Sequence, residues 1–184
     1  VQYSNRFFGF LKKEYPILEK ASIDECYIDM TDKVSLNDCY DYLFDLQMKL
    51  YAKTELKCSI GVSDNKFLAK MASDMKKPLG LIKLTRENVP ALLWPLKIDS
   101  FFGIGKKTAP KLYELGIHTI GDLASTSSKK VKALLGNLFD YFQSEARGYG
   151  NDFVDASSFD PKSISAERTF SDDVTSFDEL SEMI

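Results

Sequence analysis

Residues 17–30, with the sequence ILEKASIDECYIDM, hold two short apolar segments on either side of the acidic pair Asp24 and Glu25. The segments 17–22 and 26–30 are predicted strands, because the aromatic and β-branched side chains of the second suit a pleated, half-buried surface. The residues between them then form a tight turn. The stretch therefore predicts a β-hairpin that carries two adjacent carboxylates at its tip.

The two carboxylates at the predicted tip need a reason to lie side by side. Like charges at this distance repel each other unless a cation or a hydrogen-bond donor lies between them. Carboxylate oxygens suit Mg²⁺ or Mn²⁺, and Mg²⁺ takes one or two carboxylates together with waters and substrate phosphates. An Asp-Glu pair taken alone is more often two solvated turn acids, so the metal hypothesis depends on the rest of the sequence.

The sequence around the hairpin predicts helices packed on a sheet. Residues 4–15 place apolar side chains at helical spacing and end at Pro16, which cannot continue the hydrogen-bond ladder. A long amphipathic helix is predicted over 36–53, with Ser35 or Asn37 available as its cap. The remaining elements of this region are a strand over 57–62, a helix over 65–75 capped by Ser63 or Asp64, and a strand over 81–84.

The chain changes character after Arg86, where strand patterns stop and short helices are separated by glycine and proline. A polar, acidic linker is predicted over 151–162, and a weakly alternating strand over 163–174. The predicted fold class is α+β, with a sheet and packed helices over 1–84, an all-helical domain over 85–150, the linker, and the beginning of a third domain over 163–184. The predicted helices of the second domain are 89–93, 107–115, 119–124 and 129–147.

The net charge of −3 hides a strong separation of charge along the chain. Residues 1–48 carry 5 basic and 9 acidic side chains, residues 49–132 carry 16 and 7, and residues 133–184 carry 3 and 11. The basic middle third suits a polyanionic partner, but it also suits an ordinary solvated helical face. Charge alone therefore leaves nucleic-acid binding open.

The composition, 44% apolar and 12% aromatic, is ample for a packed core. The sequence contains no run of about 18 apolar residues, which is the length needed to cross a bilayer. Its first residues also lack the charged segment followed by an apolar segment that marks a secretory signal. The three cysteines, Cys26, Cys39 and Cys58, show no CxxC spacing and are predicted to be reduced core residues. A cytoplasmic protein with no membrane partner is the expectation.

A glycine loop formed by Gly103, Ile104 and Gly105 precedes the predicted helix 107–115. Such a loop leaves backbone N–H groups free and directs the positive end of the helix dipole at a phosphate. The basic side chains beside the loop are Lys106, Lys107 and Lys111. With the second glycine turn at Gly116, the pattern resembles a helix-hairpin-helix element, which grips duplex DNA through its phosphates and without sequence preference. An ordinary turn of a helical bundle is the alternative.

Four stretches of the chain together indicate a family. They are 21–31 (ASIDECYIDMT), 58–80 (CSIGVSDNKFLAKMASDMKKPLG), 102–109 (FGIGKKTA) followed by 115–123 (LGIHTIGDL), and 162–170 (KSISAERTF). In this order they resemble the motifs of Y-family, DinB/UmuC-like translesion DNA polymerases, and most of all the bacterial DNA polymerase IV type. The resemblance covers nearly the whole chain and implies part of a palm, a helix-hairpin-helix thumb and the beginning of a little finger.

The resemblance implies template-directed nucleotidyl transfer and DNA damage bypass in the full-length protein. It implies that Asp24 and Glu25 are catalytic ligands of two Mg²⁺ ions, with Mn²⁺ as a substitute, and that Lys77 contacts the incoming deoxynucleoside triphosphate. Primer-template DNA would be the second substrate. The DNA-binding residues would be Gly103, Gly105, Lys106 and Lys107. A sliding clamp would bind through segments that this chain does not contain.

The other basic residues near these motifs are predicted to have structural roles. Lys76 complements the dipole at the end of its helix. Lys66 and Lys70 are predicted to be core-edge or solvated charges. His118, the only histidine, is predicted to begin a helix rather than to act in catalysis, because no Ser or Cys nucleophile lies beside it.

The family also uses an aspartate on an earlier palm strand, a fingers domain and an aromatic side chain that excludes ribonucleotides, and none of these precedes Val1 in this sequence. The 184 residues by themselves are therefore expected to be inactive and to bind Mg²⁺ weakly. A non-catalytic module that binds duplex DNA through its helix-hairpin-helix region is the alternative. A nucleotide cyclase on a similar palm is a third reading, which the basic helical thumb disfavours.

Overall fold

The computed structural model describes residues 1–157, 173–174 and 176–181. Helices packed on short strands occupy the first part of the chain, and short helices occupy the second, in agreement with the predicted α+β class. The predicted strand over 163–174 lies outside the described residues apart from its last two positions.

The first part follows the predicted order of elements, with strands shorter than predicted. Its first helix ends at Glu14, two residues before Pro16, as the missing proline N–H requires. Both halves of the acidic hairpin form strands. The elements are α1 (Gln2–Glu14), β1 (Leu18–Lys20), β2 (Cys26–Ile28), α2 (Cys39–Thr54), β3 (Ile60–Val62), α3 (Lys66–Met75) and β4 (Leu81–Lys83).

The second part consists of short helices and 3₁₀ turns. The helices are α4 (Val89–Leu92), α5 (Ala109–Glu114), α6 (Ile120–Ser125), α7 (Lys129–Leu135), α8 (Phe139–Ala146) and α9 (Phe177–Ser181). The prediction of one continuous helix over 129–147 is wrong. Gly136 adopts a left-handed backbone with φ of 56°, and a 3₁₀ turn, Gly136–Leu138, separates α7 from α8. Glycine adopts a positive φ without steric cost, because it has no Cβ. The helix therefore breaks at Gly136, although the apolar pattern continues through it.

The cap of α2 differs from the prediction. The helix begins after Asp38, and neither Ser35 nor Asn37 is its N-cap. The N–H of Asp38 instead donates to the Ser35 hydroxyl over 3.2 Å, and that hydroxyl donates to the Asp38 carboxylate over 2.7 Å. These bonds tighten the turn that leads into the helix.

The cap of α3 is Asn65 rather than Ser63 or Asp64. Its side-chain oxygen accepts a hydrogen bond from the N–H of Leu68 over 2.9 Å, and its amide nitrogen donates to the carbonyl of Gly148 over 3.1 Å. One buried side chain therefore caps α3 and ties it to the end of α8.

The strands form two separate pairs in the described part of the chain. β1 and β2 are antiparallel, with Glu19 opposite Tyr27, and the turn between them carries the two acids. β3 and β4 are parallel, with Gly61 opposite Ile82, and α3 connects them and packs against β3. This β-α-β unit places the first half of α3 beside the hairpin that precedes it in the chain, where Lys66 contacts Glu19 and Lys70 contacts Glu25.

The buried apolar side chains form two clusters. The first joins α1, α2 and β1 through Phe8, Leu11, Tyr15, Leu18, Cys39, Leu43, Leu46 and Leu50. The second joins α3 to the helical region, where Phe67 of α3 lies 4.9 Å from Phe101, measured between ring centroids. α3 therefore contacts the sheet on one side and shares a core with the helices on the other. The predicted boundary between a first domain over 1–84 and a second over 85–150 stays a prediction.

The cysteines carry no disulfide, as predicted. Cys39 is buried in the first cluster, whereas Cys26 and Cys58 are half-buried at its edge. Burial raises the pKa of the Cys26 thiol to about 12, which keeps it protonated at neutral pH. None of the helices that the structure describes is both long and apolar enough to span a bilayer.

Candidate functional site

A groove of about 1260 Å³ lies between the two strand pairs. Within the described residues β2 pairs only with β1, and β3 pairs only with β4, so β2 and β3 each keep one edge without a strand partner. Residues of both strands line the groove, together with apolar side chains of α2. The charged side chains among its lining residues include Asp24, Glu25, Lys66, Lys70 and Lys77. The structure thus gathers the predicted metal ligands and the predicted triphosphate lysine in one cleft.

The hairpin turn holds Asp24 and Glu25 by hydrogen bonds. The Asp24 carboxylate accepts a hydrogen bond from the Ser22 hydroxyl over 2.7 Å. The Glu25 carbonyl accepts hydrogen bonds from the N–H groups of Ala21 and Ser22 over 3.0 and 3.2 Å. The Asp24 side chain is exposed and that of Glu25 is partly exposed, so both carboxylates are accessible from the groove.

Lys70 is an ion-pair partner of Glu25, so its prediction as a core-edge or solvated charge is incomplete, because the side chain lies at the edge of the core but is paired rather than solvated. Its ammonium nitrogen lies 2.5 Å from Oε1 of Glu25 and 3.2 Å from Oδ2 of Asp74, one turn further along α3. The Lys70 side chain is only 14% exposed. Partial burial would lower the pKa of Lys70, but the hydrogen bonds and charges of the two carboxylates outweigh it and raise the pKa.

Lys77 lies beyond the end of α3 and pairs with Asp74 over 2.6 Å. Its side chain is 54% exposed, so this pair is a weak surface contact that a stronger anion can replace. Partial burial of Asp74 is outweighed by its hydrogen bonds to Lys77 and Lys70, which lower the pKa of the carboxyl. Lys76 stands at the C-cap of α3, in line with its predicted role.

Lys66 also forms an ion pair, and its prediction as a core-edge or solvated charge is incomplete. Its ammonium lies 3.0 and 2.9 Å from the two carboxylate oxygens of Glu19 on β1. The same carboxylate accepts a hydrogen bond from the N–H of Asp155 over 2.7 Å. The segment after Gly150 is therefore held against the hairpin and the start of α3.

The two glycines of the loop differ in what the backbone requires. The conformation at Gly103 needs a glycine, whereas that at Gly105 does not. Gly103 has φ of 97°, and a Cβ there would lie 3.1 Å from the Phe142 ring. Gly105 has no left-handed φ, and a Cβ there would meet no described atom within 4 Å. A side chain at Gly105 would therefore project away from the protein. Its absence leaves the outer side of the loop open to an approaching molecule.

The residues after the loop begin a helical turn before α5 itself. The carbonyl of Gly105 accepts hydrogen bonds from Thr108 and Ala109, whereas the N–H groups of Lys106 and Lys107 donate to no described partner. Both lysines are exposed, and neither forms an ion pair within the described ranges. The loop therefore combines free donors with unpaired positive charge, which is the chemistry that a phosphate needs.

His118 has the structural position that the sequence predicts. Its backbone N–H donates to the Asp122 carboxylate over 2.9 Å. Helix α6 begins two residues later, after the N-cap Thr119. The hydrogen bonds from Thr119 and His118 lower the pKa of Asp122. These contacts close the second glycine turn, where Gly116 has φ of 79°.

Both parts of the chain match one protein family. Residues 1–74 match the impB/mucB/samB family, and residues 86–117 match the HHH motif of the same family. The chain is 42% identical over 182 residues to DNA polymerase IV of Oceanobacillus iheyensis and 42% identical over 178 residues to DNA polymerase IV 1 of Bacillus subtilis. The chain belongs to the Y-family, DinB-like DNA polymerases.

The fold agrees with solved structures of this family. The crystal structure of DinB from Sulfolobus solfataricus matches 84% of the chain with a TM-score of 0.76 and 31% identity, and the insertion ternary complex of Dbh DNA polymerase matches 83% with a TM-score of 0.74 and 31% identity. The matches take up 46% and 45% of those chains. The two curated relatives are matched over 98% and 96% of this chain, which spans 43% of the length of each.

Polymerases of this family depend on divalent metal ions, and the acidic residues of the groove fit such an ion in part. No group of three or more His, Cys, Asp or Glu side chains in the described ranges could hold a metal. Asp24 and Glu25 nevertheless match a hard cation that takes one or two carboxylates and completes its shell with water and phosphate oxygens. The donors present therefore suit Mg²⁺ rather than a softer metal such as zinc.

Sequence reasoning missed Lys70 and Asp74 as members of the site. A signal was present, because Lys66, Lys70 and Asp74 follow one another at four-residue spacing and so share one face of α3. The spacing does not reveal what that face contacts. Glu25 lies 45 positions earlier in the chain, and only the packing of α3 beside the hairpin brings the two charges together.

Proposed function

We propose that this chain forms part of the palm and the thumb of a DNA-directed DNA polymerase that bypasses damaged templates. In that polymerase it would extend a primer by template-directed transfer of deoxynucleotides. The observation that carries the proposal is the shared groove, in which two adjacent carboxylates and an exposed lysine face the same space. The domain ranges proposed are palm over 1–84, thumb over 85–150, linker over 151–162 and little finger from 163.

Three charged residues of the groove have a proposed role. Asp24 and Glu25 would hold Mg²⁺, or Mn²⁺ in its place, and the bound ions would activate the primer hydroxyl and neutralise charge on the triphosphate. Lys77 would exchange its exposed contact with Asp74 for the triphosphate, where a fixed cation offsets charge on the leaving pyrophosphate. The weak surface pair with Asp74 would keep Lys77 near the groove and still leave its ammonium group free to bind a phosphate.

The open edges of β2 and β3 support a further part of the proposal. The family places an aspartate on an earlier palm strand, and a strand inserted between these edges could pair with both. Apolar side chains of α2 line the same groove and would bury one face of such a strand. The inserted strand would carry its carboxylate toward Asp24 and Glu25 and complete the ligand set.

The thumb would hold the primer-template duplex. Gly103 shapes the loop and Gly105 leaves it open, while the N–H groups and side chains of Lys106 and Lys107 would contact phosphates. Phosphate contacts carry no base information, which suits an enzyme that works at any sequence. One of the matched structures is an insertion ternary complex of Dbh DNA polymerase, which agrees with DNA and a nucleotide as the proposed partners.

The proposal extends to the setting in which the polymerase works. A sliding clamp is proposed as a further protein partner, bound through segments outside these 184 residues. The location proposed for the polymerase is the cytoplasm.

Replacement of Gly105 by valine tests the DNA-binding part. Gly105→Val should lower the affinity of the 184-residue chain for duplex DNA by about tenfold, because the side chain blocks a charge-assisted contact between backbone and phosphate. The loss should be equal for duplexes of different sequence, and binding by the wild type should weaken steeply with salt. Fluorescence anisotropy with three unrelated labelled duplexes at two salt concentrations measures both effects.

Gly9→Val serves as the matched control, because Gly9 is also exposed and a Cβ there meets no described atom within 4 Å. Gly9 lies on α1 and outside the thumb, so this variant should bind DNA as the wild type does. Equal binding by the Gly105 variant and the wild type would show that the loop is an ordinary bundle turn. A marked preference for one duplex would show that the thumb reads bases.

A further inference from the structure

The ammonium group of Lys70 is held at two points in the metal-binding part of the groove. It contacts Oε1 of Glu25 at 2.5 Å and Oδ2 of Asp74 at 3.2 Å. Asp74 lies one turn further along α3, so the second contact fixes the lysine side chain along its own helix. The first contact then reaches across from α3 to the hairpin. With 14% exposure, Lys70 has little freedom to turn toward solvent.

Glu25 has no comparable anchor of its own. Its side chain is 42% exposed, and the hydrogen bonds of the turn involve its backbone carbonyl rather than its side chain. Within the described residues, the Glu25 side chain forms an ion pair with Lys70 alone. The orientation of this carboxylate in the groove therefore depends on one ammonium group.

We propose that Lys70 is a positioning residue that acts as the built-in counterion of Glu25. It holds the carboxylate in the groove while no divalent ion is bound and competes with that ion for the same carboxylate. The inference rests on the proposed function, because it takes Glu25 to be a metal ligand. It adds that the affinity for the cation is set partly by a lysine on a different element.

Removing the charge of Lys70 should have two opposite effects. The Glu25 side chain should lose its anchor, whereas the affinity of the groove for Mg²⁺ should rise. A positive charge within ion-pair distance of Glu25 repels an arriving divalent ion and occupies one of its ligands. Removing that charge should raise the affinity of the groove for Mg²⁺ by roughly three- to tenfold at physiological salt. A lysine that only supported the fold would not produce tighter binding when removed.

The ion pair of Lys66 and Glu19 supplies a matched control. Lys66 lies one turn before Lys70 on the same helix, is 20% exposed, and contacts a hairpin carboxylate at 2.9 Å. Glu19 lies on β1, away from the turn that carries the two acids. Lys66→Met should therefore leave the affinity for Mg²⁺ unchanged.

The test is a Mg²⁺ titration of the isotopically labelled 184-residue chain, followed by the amide signals of residues 21–28, with Mn²⁺ broadening to locate the bound ion. Lys70→Met should bind Mg²⁺ roughly three- to tenfold more tightly than the weak wild type. Lys70→Arg, which keeps the charge, should resemble the wild type. Lys70→Gln provides a second neutral variant if the methionine variant does not fold.

The outcomes separate this inference from the function on which it rests. Asp24→Asn should weaken binding at the tip, and if it does while neutral variants of Lys70 bind no more tightly than the wild type, the counterion role is overturned and the metal site stands. If Asp24→Asn and Glu25→Gln both leave binding unchanged, the metal assignment fails and the role of Lys70 fails with it. Tighter binding by neutral Lys70 variants, together with unchanged binding by Lys66→Met, supports the inference.

Discussion

Primer extension should fall by about 100-fold or more when either Asp24 or Glu25 is replaced by alanine in a polymerase that joins this chain to the upstream strand and fingers of the family. Metal ions supply several kcal/mol of charge stabilisation in the transition state, and each tenfold in rate corresponds to about 1.4 kcal/mol. DNA binding should be largely unchanged, because the proposed duplex contacts lie in the thumb rather than at the two acids. Single-turnover extension with one deoxynucleotide, alongside anisotropy on the same duplex, measures both quantities.

Lys77→Ala is the graded comparison for the two acid variants. It should cost less than either, because it would remove only the one charge-assisted contact proposed for the triphosphate and would leave the proposed metal ligands in place. The loss should appear in the apparent affinity for the nucleotide as well as in the rate. If both acid variants extend primers at the wild-type rate, or if the complete protein binds DNA and extends no primer with Mg²⁺ or Mn²⁺, the polymerase reading is wrong. The non-catalytic DNA-binding module then takes its place.

Gly61→Ala should destabilise the chain by about 3 kcal/mol or more, which is a large share of the stability of a typical domain. A Cβ at Gly61 would lie 1.9 Å from the carbonyl oxygen of Ala69 and 2.5 Å from the amide nitrogen of Ser73. Both atoms belong to the backbone of α3, so no side-chain rotation relieves the clash. The helix would have to move away from β3 and carry Lys70 with it. Urea denaturation followed by circular dichroism measures the loss.

Gly9→Ala is the control for this prediction and has the opposite expected sign. Gly9 lies in α1, and a Cβ there meets no described atom within 4 Å. Alanine costs less conformational entropy than glycine in a helix, so this variant should gain roughly 0.5–1 kcal/mol. Unfolding of Gly61→Ala at the same urea concentration as the wild type would show that α3 does not press against β3 as described.

The sequence alone predicts the hairpin, the order of elements and the family. Short apolar segments on either side of Asp24 and Glu25 indicate two strands and a turn, because the strand preference of aromatic and β-branched side chains can be read from the local sequence. The glycine spacing at Gly103 and Gly105 likewise indicates a phosphate-binding loop before a helix. These inferences need no knowledge of what lies elsewhere in space.

Details that depend on neighbours were predicted less well. Local sequence offered Ser63 or Asp64 as the cap of α3, but Asn65 caps it, because its side chain also reaches the Gly148 carbonyl across the core. The pattern over 129–147 indicated one helix, but Gly136 interrupts it with a left-handed backbone. The choice of Asn65 depends on a residue 83 positions away, so the local sequence does not reveal it.

The ion pairs of the groove are decided by the tertiary structure alone. Lys70 and Glu25 are 45 positions apart, and Lys66 and Glu19 are 47 apart. Sequence spacing places both lysines on one face of α3, but it does not say which surface that face contacts. That is set by the close approach of α3 to β3 at Gly61 and by the shared core of α3 with the helical region. The charge balance of the proposed metal site is therefore a product of long-range packing, whereas its two acids can be identified from the sequence.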